Sequence, residues 1–184
     1  INGLSPSSHP TQVLSDIFTI QEIKKKSISK LKLCWIGDAN NNMMNSLIEA
    51  CIKFSITLNI ACPKIYQPNK ALISLIKKQK GKIKIFNKKE IAVKNSDVVM
   101  TDKIISLNDK VNKKKKLKSF KNFKVDTKTM NLAKKDAIFL HCLPRGSEVT
   151  EEVFLGKQSK VWQQALNRVY VQKSILLYCF GKLR

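Results

Sequence analysis

The fold is decided by residues 31–62, which read LKLCWIGDANNNMMNSLIEACIKFSITLNIAC. The two ends of this stretch, residues 31–36 and 56–62, are short runs dominated by apolar residues, and each is a candidate strand. Gly37-Asp38 bounds the first run, as turn residues do. Residues 45–54 lie between the two runs and show the apolar spacing of a helix. Two buried strands joined by a helix indicate parallel strands in an α/β domain.

The same alternation of strands and helices continues along the chain. A helix is predicted over 69–80, with its apolar residues on one face and Gly81 at its end. A short polar helix at 88–94 and three further strands are predicted, the strands at 83–86, 97–101 and 137–142. We therefore predict an α/β fold with one doubly wound, mostly parallel sheet and helices on both faces, which is Rossmann-like. Residues 108–118 are polar and basic and are predicted to form a mobile loop.

Two amphipathic segments lie outside this pattern, a leading helix at 11–24 and a trailing helix at 161–180. Each could bridge to a second domain, and the alternative is that both simply pack on this one. The first interpretation predicts an interdomain helix segment at 1–27, an α/β domain at 28–160 and a C-terminal helix at 161–184 that returns toward a missing N-terminal domain. The chain lacks an initiator Met, so we expect it to begin inside a longer gene product.

The net charge is +22, which usually suggests a nucleic-acid partner or an anionic surface. Nearly all of this charge is Lys, however, and the chain has only three Arg, the residue that phosphate and base recognition favours. The lysines are also spread along the chain, with one dense run at 113–116. We therefore predict a solvated surface and no nucleic-acid partner, with long-range attraction of anionic substrates as the alternative.

Membrane and metal partners are not indicated by the sequence. No run approaches the roughly 18 apolar residues of a membrane span, and residues 1–10 do not resemble a secretory signal. The five cysteines form no CxxC pair and no zinc-type spacing. Four of them are predicted to be reduced core residues of a cytoplasmic protein, namely Cys34, Cys51, Cys62 and Cys179.

Polar clusters follow three of the predicted strands: GDANN at 37–41, Thr101-Asp102, and HCLPR at 141–145. In open α/β sheets the binding crevice lies beyond the carboxyl ends of the strands, so these clusters are candidate site residues. Asp102 suits an ammonium group, and the alternative role for it is a helix N-cap. His141 and Cys142 should point to opposite faces of their strand, which argues against a nucleophile–base dyad.

Four motifs together resemble those of one family. HPTQ at 9–12 resembles the HPxQ motif of the transcarbamylases, and WIGDANN at 35–41 is similar to the GDxNN segment of ornithine carbamoyltransferases. HCLPR at 141–145 matches the motif of the same enzymes residue for residue, and Asn167-Arg168 resembles their late Asn-Arg pair. Aspartate carbamoyltransferases have Pro in place of Cys142 and lack the Asn pair. The resemblance covers essentially the whole chain.

The resemblance implies transfer of a carbamoyl group from carbamoyl phosphate to the side-chain amine of ornithine, giving citrulline and phosphate, as in arginine biosynthesis. The residues implied to contact carbamoyl phosphate are His9, Gln12, Arg168 and the backbone at Cys142 and Leu143. Those implied to hold ornithine are Asn41, Asp102, Ser106 and Leu107. The implied catalytic residues are Cys142, Asp102 and Arg168, and Cys142 with Asp102 would help keep the amine deprotonated. The family needs no metal and no organic cofactor, and it forms homotrimers with sites between subunits.

The sequence departs from the family pattern in three places. The family's Ser-Thr-Arg-Thr phosphate-binding motif does not occur, so we expect this chain alone to be inactive. The segment at 102–108 reads DKIISLN and lacks the family's Trp and Gly, which leaves open a transcarbamylase for another amine, such as acetylornithine or putrescine. Near Arg168 the family's Glu-Ala-Glu is Gln-Ala-Leu, and a non-catalytic relative kept for binding or assembly is a further alternative.

Overall fold

The computed structural model describes residues 1–105 and 112–183. Within these residues five strands form one all-parallel sheet in the order β3-β2-β1-β4-β5. The strands are β1 (Lys32–Ile36), β2 (Thr57–Ala61), β3 (Ile83–Phe86), β4 (Val98–Thr101) and β5 (Ile138–His141). All five were predicted from the apolar runs of the sequence, with ends that agree within one residue. The parallel α/β sheet is therefore confirmed.

Helices connect the strands and flank the sheet. Their bounds are α1 (Pro10–Lys24), α2 (Asn42–Lys53), α3 (Lys70–Lys78), α4 (Lys89–Val93), α5 (Lys113–Ser119), α6 (Thr127–Leu132), α7 (Glu151–Phe154) and α8 (Val161–Cys179). Short 3₁₀ turns lie at Ile28–Lys30, Lys64–Tyr66 and Lys121–Phe123. Side-chain caps explain several helix starts: Asn41 accepts a hydrogen bond from the backbone N–H of Met44, and Asn69 from that of Leu72.

The sheet separates two apolar cores, which is the double winding that the sequence predicted. Along β1, Leu33 and Trp35 face a core shared with α1, α2 and α3, whereas Cys34 and Ile36 face a second core shared with α4 and residues 120–154. This alternation is the period of two that a strand imposes. All four side chains are almost fully buried, and burial of a side chain such as Leu33 or Ile36 contributes roughly 1.5–3 kcal/mol.

The strand order places the reversal of the winding between β1 and β4. From β1 the chain proceeds outward through β2 to β3, then returns to the other side of β1 to form β4 and β5. At such a switch point the connections leave the carboxyl ends of the two strands in opposite directions and open a crevice. The residues that follow β1 and β4 therefore line the position where a ligand binds in folds of this kind.

Two expectations about local structure are corrected, and two helices were not predicted. The predicted mobile loop at 108–118 contains helix α5, which is capped by Asn112, and residues 106–111 lie outside the described part of the chain. The sequence also gave no sign of α6 and α7. Cys34, Cys51 and Cys62 are buried as predicted, but Cys179 is exposed. It lies at the end of α8, where neighbouring apolar side chains are themselves uncovered.

Within the described residues, no helix has the length and apolar character needed to cross a membrane.

Candidate functional site

The three polar clusters predicted from the sequence meet at the carboxyl edge of the sheet. Strand β4 pairs with β1 on one side and with β5 on the other, and Thr101 is the register partner of His141. Gly37 ends β1 with a φ of 147°, a conformation that glycine tolerates best, and a Cβ atom there would lie 3.2 Å from the Thr101 hydroxyl oxygen. The glycine thus permits the close approach of the β1 and β4 ends.

Asp102 and Cys142 are in direct contact at this edge. The Cys142 thiol donates a hydrogen bond to Asp102 Oδ1 at 3.0 Å, and the same oxygen accepts the backbone N–H of Lys103 at 2.7 Å. Burial raises the pKa of the Cys142 thiol well above its ordinary value, and the neighbouring Asp102 carboxylate raises it further. Cys142 is therefore a neutral thiol that donates to Asp102, and it is not an activated nucleophile.

His141 is turned away from the Cys142 thiol. Its Nε2 lies 2.8 Å from Glu148 Oε1, its Nδ1 contacts the Cys142 carbonyl oxygen, and the side chains of His141 and Glu148 are fully buried. Burial opposes ionisation of Glu148, but the hydrogen bonds from His141 and from the Gly146 backbone N–H outweigh it and lower the Glu148 pKa. Both ring nitrogens of His141 are occupied, which confirms that it forms no dyad with Cys142. The sequence did not indicate Glu148.

Helices α1 and α8 bring the HPTQ motif next to Arg168. The two helices pack against each other through polar side chains, since Gln12, Asp16 and Glu22 of α1 each form a hydrogen bond with a residue of α8. Arg168 Nη1 donates to Gln12 Oε1 at 3.0 Å. Gln164 accepts the backbone N–H of His141 at 3.0 Å, so α8 is also tied to the end of β5. The predicted carbamoyl phosphate residues thus converge on the predicted ornithine residues.

His9 is the N-cap residue of α1, and Pro10 occupies the first helical position. The His9 backbone N–H donates to the Ser46 hydroxyl at 2.9 Å, which ties the start of α1 to α2. Its imidazole is buried, and Nδ1 has no hydrogen-bond partner among the described residues. Burial lowers the pKa of His9, and the Arg168 guanidinium lowers it further. The ring is therefore biased toward the neutral form, with one nitrogen available to a ligand.

Asn41 lies at the start of α2 and has a structural contact at each end of its amide. Its Oδ1 caps the helix, and its Nδ2 donates to the Asp38 carbonyl oxygen at 3.2 Å. An amide nitrogen has two N–H donors, so one remains that a ligand could accept from. The Asp38 carboxylate accepts the backbone N–H of Asn40 and forms a 2.6 Å ion pair with Lys116 of α5. Both charged side chains of this pair are almost fully buried.

The burial of Lys116 corrects part of the expectation that the basic run at 113–116 is solvated. Besides Asp38, the ammonium group of Lys116 lies 5.4 Å from the centre of the Tyr66 ring. The Tyr66 carbonyl oxygen accepts the N–H of Ala39, in the turn after β1. Lys116 therefore joins α5 to this turn, a role that the sequence did not reveal within a run of identical residues.

The remaining residues that the sequence predicted for the site are Leu143, Arg145, Ser106 and Leu107. The exposed Leu143 follows Cys142 and precedes Pro144 through a cis peptide bond. Arg145 lies beside Glu151 and over the Phe154 ring, so the structure does not bring it to Asp102 and Cys142. Ser106 and Leu107 lie outside the described residues. Among residues 1–105 and 112–183, no group of three or more His, Cys, Asp or Glu side chains could hold a metal ion.

The chain is similar to carbamoyltransferases of known sequence and structure. The family model described as "Aspartate/ornithine carbamoyltransferase, Asp/Orn binding domain" matches residues 29–179. Among curated relatives, the ornithine carbamoyltransferase of Methanosarcina acetivorans is 38% identical over 96% of this chain and 59% of the relative. That of Methanococcus maripaludis is 44% identical, over 98% of this chain and 61% of the relative.

Solved structures of ornithine carbamoyltransferases are also similar to this chain. The anabolic ornithine carbamoyltransferase of Campylobacter jejuni matches with a TM-score of 0.91 and 40% identity, over 99% of this chain and 62% of that one. The enzyme of Pyrococcus furiosus matches with a TM-score of 0.89 and 36% identity, over 100% of this chain and 60% of that one. The chain thus spans about 60% of the length of the relatives it matches. It belongs to the aspartate/ornithine carbamoyltransferase family and carries the domain that the family model describes as aspartate/ornithine-binding.

Proposed function

We propose that this chain is the ornithine-binding part of an ornithine carbamoyltransferase. In the reaction, the side-chain amine of ornithine forms a C–N bond to the carbonyl carbon of carbamoyl phosphate, the C–O bond to phosphate breaks, and the amine gives up a proton. The products are citrulline and phosphate. The observation that carries the proposal is the contact between Cys142 and Asp102, at the end of the HCLPR strand and beside the switch point of the sheet.

The carbamoyl phosphate residues are His9, Gln12 and Arg168, together with the backbone of Cys142 and Leu143. Support comes from chemistry, because Arg168 can offer several N–H donors to carbonyl or phosphate oxygens. Nδ1 of His9, which has no hydrogen-bond partner in the described part of the chain, supplies one further polar contact. Arg168 lies beside Gln12, so a ligand that displaces their 3.0 Å hydrogen bond meets a donor and an acceptor side by side. Charge that develops on the carbamoyl oxygen would be stabilised by Arg168 as a fixed cation.

The ornithine residues are Asn41, Asp102, Ser106 and Leu107, and their support in the described chain rests on the first two. Asp102 is a half-buried carboxylate next to Cys142, suited to an ammonium group or to the proton that the attacking amine releases. Because the thiol of Cys142 is neutral, it does not stabilise an ammonium as a thiolate would. We propose that this pair lets the amine react in its neutral form and that Asp102 receives its proton.

The domain organisation follows from the outer helices. Along α1 and α8 large apolar side chains are exposed, and they line an open groove of about 610 Å³ with Phe18, Tyr170 and Tyr178 among its walls. About 40% of the length of the relatives lies outside the part that this chain matches, and we propose that an N-terminal carbamoyl phosphate domain packs on this groove. The complete protein would be a cytoplasmic homotrimer of arginine biosynthesis, and this chain alone would lack most of the phosphate site.

Replacement of Asp102 tests the assignment in the full-length product of the gene. Asp102→Ala removes one member of the pair with Cys142, and loss of a charged partner in a largely buried site costs roughly 3–5 kcal/mol. Part of that cost is screened here because Asp102 is only half-buried, so we expect the ornithine KM to rise at least about tenfold. The matched control is Asp136→Ala, an exposed carboxylate that pairs with Lys24 far from the site. An unchanged ornithine dependence in Asp102→Ala would refute the assignment.

A different amine remains the second candidate, because the residues after Asp102 depart from the family pattern. Ile104 occupies the position of the family's Trp and is buried in the second core, so its side chain packs inside the domain. Carbamoyl transfer measured on ornithine, acetylornithine and putrescine distinguishes the substrates, and transfer to none of them favours the non-catalytic relative.

A further inference from the structure

Asp16 occupies the centre of the polar contact between α1 and α8. Its carboxyl group is buried and accepts two hydrogen bonds on the same oxygen, Oδ1: one from Gln12 Nε2 at 2.9 Å and one from Gln164 Nε2 at 2.6 Å. The two glutamines come from different helices, Gln12 from α1 and Gln164 from α8. The sequence singled out neither Asp16 nor this use of Gln164.

A glutamine amide has a donor end and an acceptor end, and the two look alike in shape. An ionised carboxylate can only accept, so it binds the NH₂ end of Gln12 and excludes the reversed orientation. The Gln12 carbonyl oxygen is thereby directed to Arg168 Nη1, 3.0 Å away. The Asp16 carboxylate thus determines that Gln12 offers an acceptor, next to the donors of Arg168.

This pairing of an acceptor with a donor is complementary to a carbamoyl group. A carbamoyl group carries an NH₂ donor and a carbonyl acceptor on one carbon atom, whereas an acetyl group has a methyl in place of the NH₂. With Gln12 reversed, its NH₂ would face both the carbamoyl NH₂ and the Arg168 guanidinium, and donors would oppose donors. A site built to accept a hydrogen bond rejects a ligand that lacks the donor.

The same oxygen fixes Gln164 by the same argument. Its NH₂ end is bound to Asp16, so its carbonyl oxygen accepts the backbone N–H of His141 at 3.0 Å. Asp16 therefore joins the HPTQ motif on α1, the Arg168 turn of α8 and the end of the HCLPR strand. Two otherwise separate parts of the proposed carbamoyl phosphate site share one anchor.

A stabilising role alone explains this carboxyl group poorly. It is almost fully buried, and its second oxygen, Oδ2, has no partner among the described residues. A buried ionisable group with an unsatisfied oxygen lowers stability relative to a neutral side chain of the same size. Asparagine would hold both glutamines by its one carbonyl oxygen, but its NH₂ group would also permit the reversed amide of Gln12.

We propose that Asp16 is a positioning residue that sets the amide orientation of Gln12, and with it the preference of the site for a carbamoyl over an acetyl group. The proposal rests on the proposed function, because it assigns carbamoyl recognition to Gln12 and Arg168. Asp16 itself touches no substrate. It acts through the side chains of Gln12 and Gln164.

The amide orientation is tested first on the 184-residue chain, by nuclear magnetic resonance of the side-chain NH₂ groups. In the native chain the Gln12 and Gln164 NH₂ protons should be protected from exchange with solvent. Asp16→Ala should abolish the protection of both, whereas Thr19→Ala, which removes the neighbouring bond from Asn167 between the same helices, should not. If Asp16→Ala does not fold, Asp16→Ser serves in its place, because its shorter side chain also loses Gln12. If the Gln12 NH₂ protons stay equally protected from exchange after loss of the carboxylate, the inference is overturned.

Recognition is then tested by kinetics in the full-length gene product. We expect Asp16→Ala to raise the KM for carbamoyl phosphate roughly tenfold, the effect of one lost hydrogen bond, with the ornithine KM within about twofold of the native value. Inhibition by acetyl phosphate should weaken less, and Asp16→Asn should recover only part of the loss, because its NH₂ group also permits the reversed amide of Gln12. Equal rises in both KM values, or the same rise in Thr19→Ala, would show a merely structural role and overturn the proposal. If the native product forms no citrulline, the proposed function fails, and the resonance measurement still decides the role of Asp16 in orienting Gln12.

Discussion

Asp16→Asn removes a carboxyl group that titrates inside the folded chain. Burial raises the pKa of Asp16 from its ordinary 3.8 to about 6, although the hydrogen bonds from Gln12 and Gln164 act in the opposite direction. Charged groups on the neighbouring elements act weakly and with opposite signs, since Asp102 raises the pKa and Arg168 lowers it. The difference of about two pKa units corresponds to about 3 kcal/mol, because one unit is worth about 1.4 kcal/mol.

The sign follows from where the proton is lost first. The unfolded chain releases the Asp16 proton near pH 4, and the folded chain holds it to about pH 6. Between these values the folded state binds more protons, so the contribution of Asp16 to the free energy of unfolding falls as the pH rises. Below the unfolded pKa this cost is absent, and above about pH 6 it is fully present.

The assay is urea unfolding of the native chain and of Asp16→Asn at several pH values from 4 to 7. Asparagine does not titrate, so the free energy of unfolding of the variant minus that of the native chain should grow by about 2–3 kcal/mol over this range. Asp136→Asn is the control, because the hydrogen bond from Lys24 lowers the pKa of that exposed carboxyl group, so its difference from the native chain should change little between pH 4 and 7. A difference for Asp16→Asn that does not change with pH would refute the assignment of a buried, raised carboxyl group.

Three further variants test separate contacts of the site. Lys116→Met leaves the buried Asp38 carboxylate without its ion pair and should lower the free energy of unfolding, measured in urea, by roughly 3 kcal/mol. Lys116→Arg keeps the positive charge and should lower it less. Equal losses in the two variants would contradict the ion-pair role. Asp102→Asn should speed the alkylation of Cys142 by iodoacetamide at fixed pH, because it removes the negative charge that helps to raise the thiol pKa. The rate is measured by peptide mass spectrometry, and an unchanged rate would count against the contact. Glu148→Gln should abolish a contribution to stability that is present above the ordinary Glu pKa and is lost as the pH falls. The free energies of unfolding of the variant and the native chain should therefore converge in acid. A difference that stays constant with pH would contradict the lowered Glu148 pKa.

The sheet was predictable because strands buried on both faces leave continuous apolar runs in the sequence. The same runs locate the strand ends, and parallel strands bring their carboxyl ends to one edge. That argument placed Gly37, Thr101, Asp102 and Cys142 near one another, and the 3.0 Å contact of Cys142 with Asp102 agrees with it.

The contacts that the sequence did not reveal depend on how distant elements pack. Asp16 and Gln164 are 148 positions apart, and they meet only because α1 packs against α8. Lys116 is one of four consecutive lysines, and the direction in which α5 faces selects it for burial. The prediction that Cys179 is buried was wrong, because apolar neighbours in the sequence do not bury a residue on a helix face that nothing in the described chain covers.

The central claim is that this chain supplies the ornithine-binding half of a carbamoyltransferase site whose phosphate half lies in another domain. The most direct measurement is citrulline formation from carbamoyl phosphate and ornithine, by the 184-residue chain and by the full-length gene product, with acetylornithine and putrescine assayed in parallel. We expect transfer by the full-length product, with ornithine as the best amine, and none above background by the chain alone. Citrulline formed by the chain alone, or a full-length product that prefers another amine or carbamoylates none, would contradict the account.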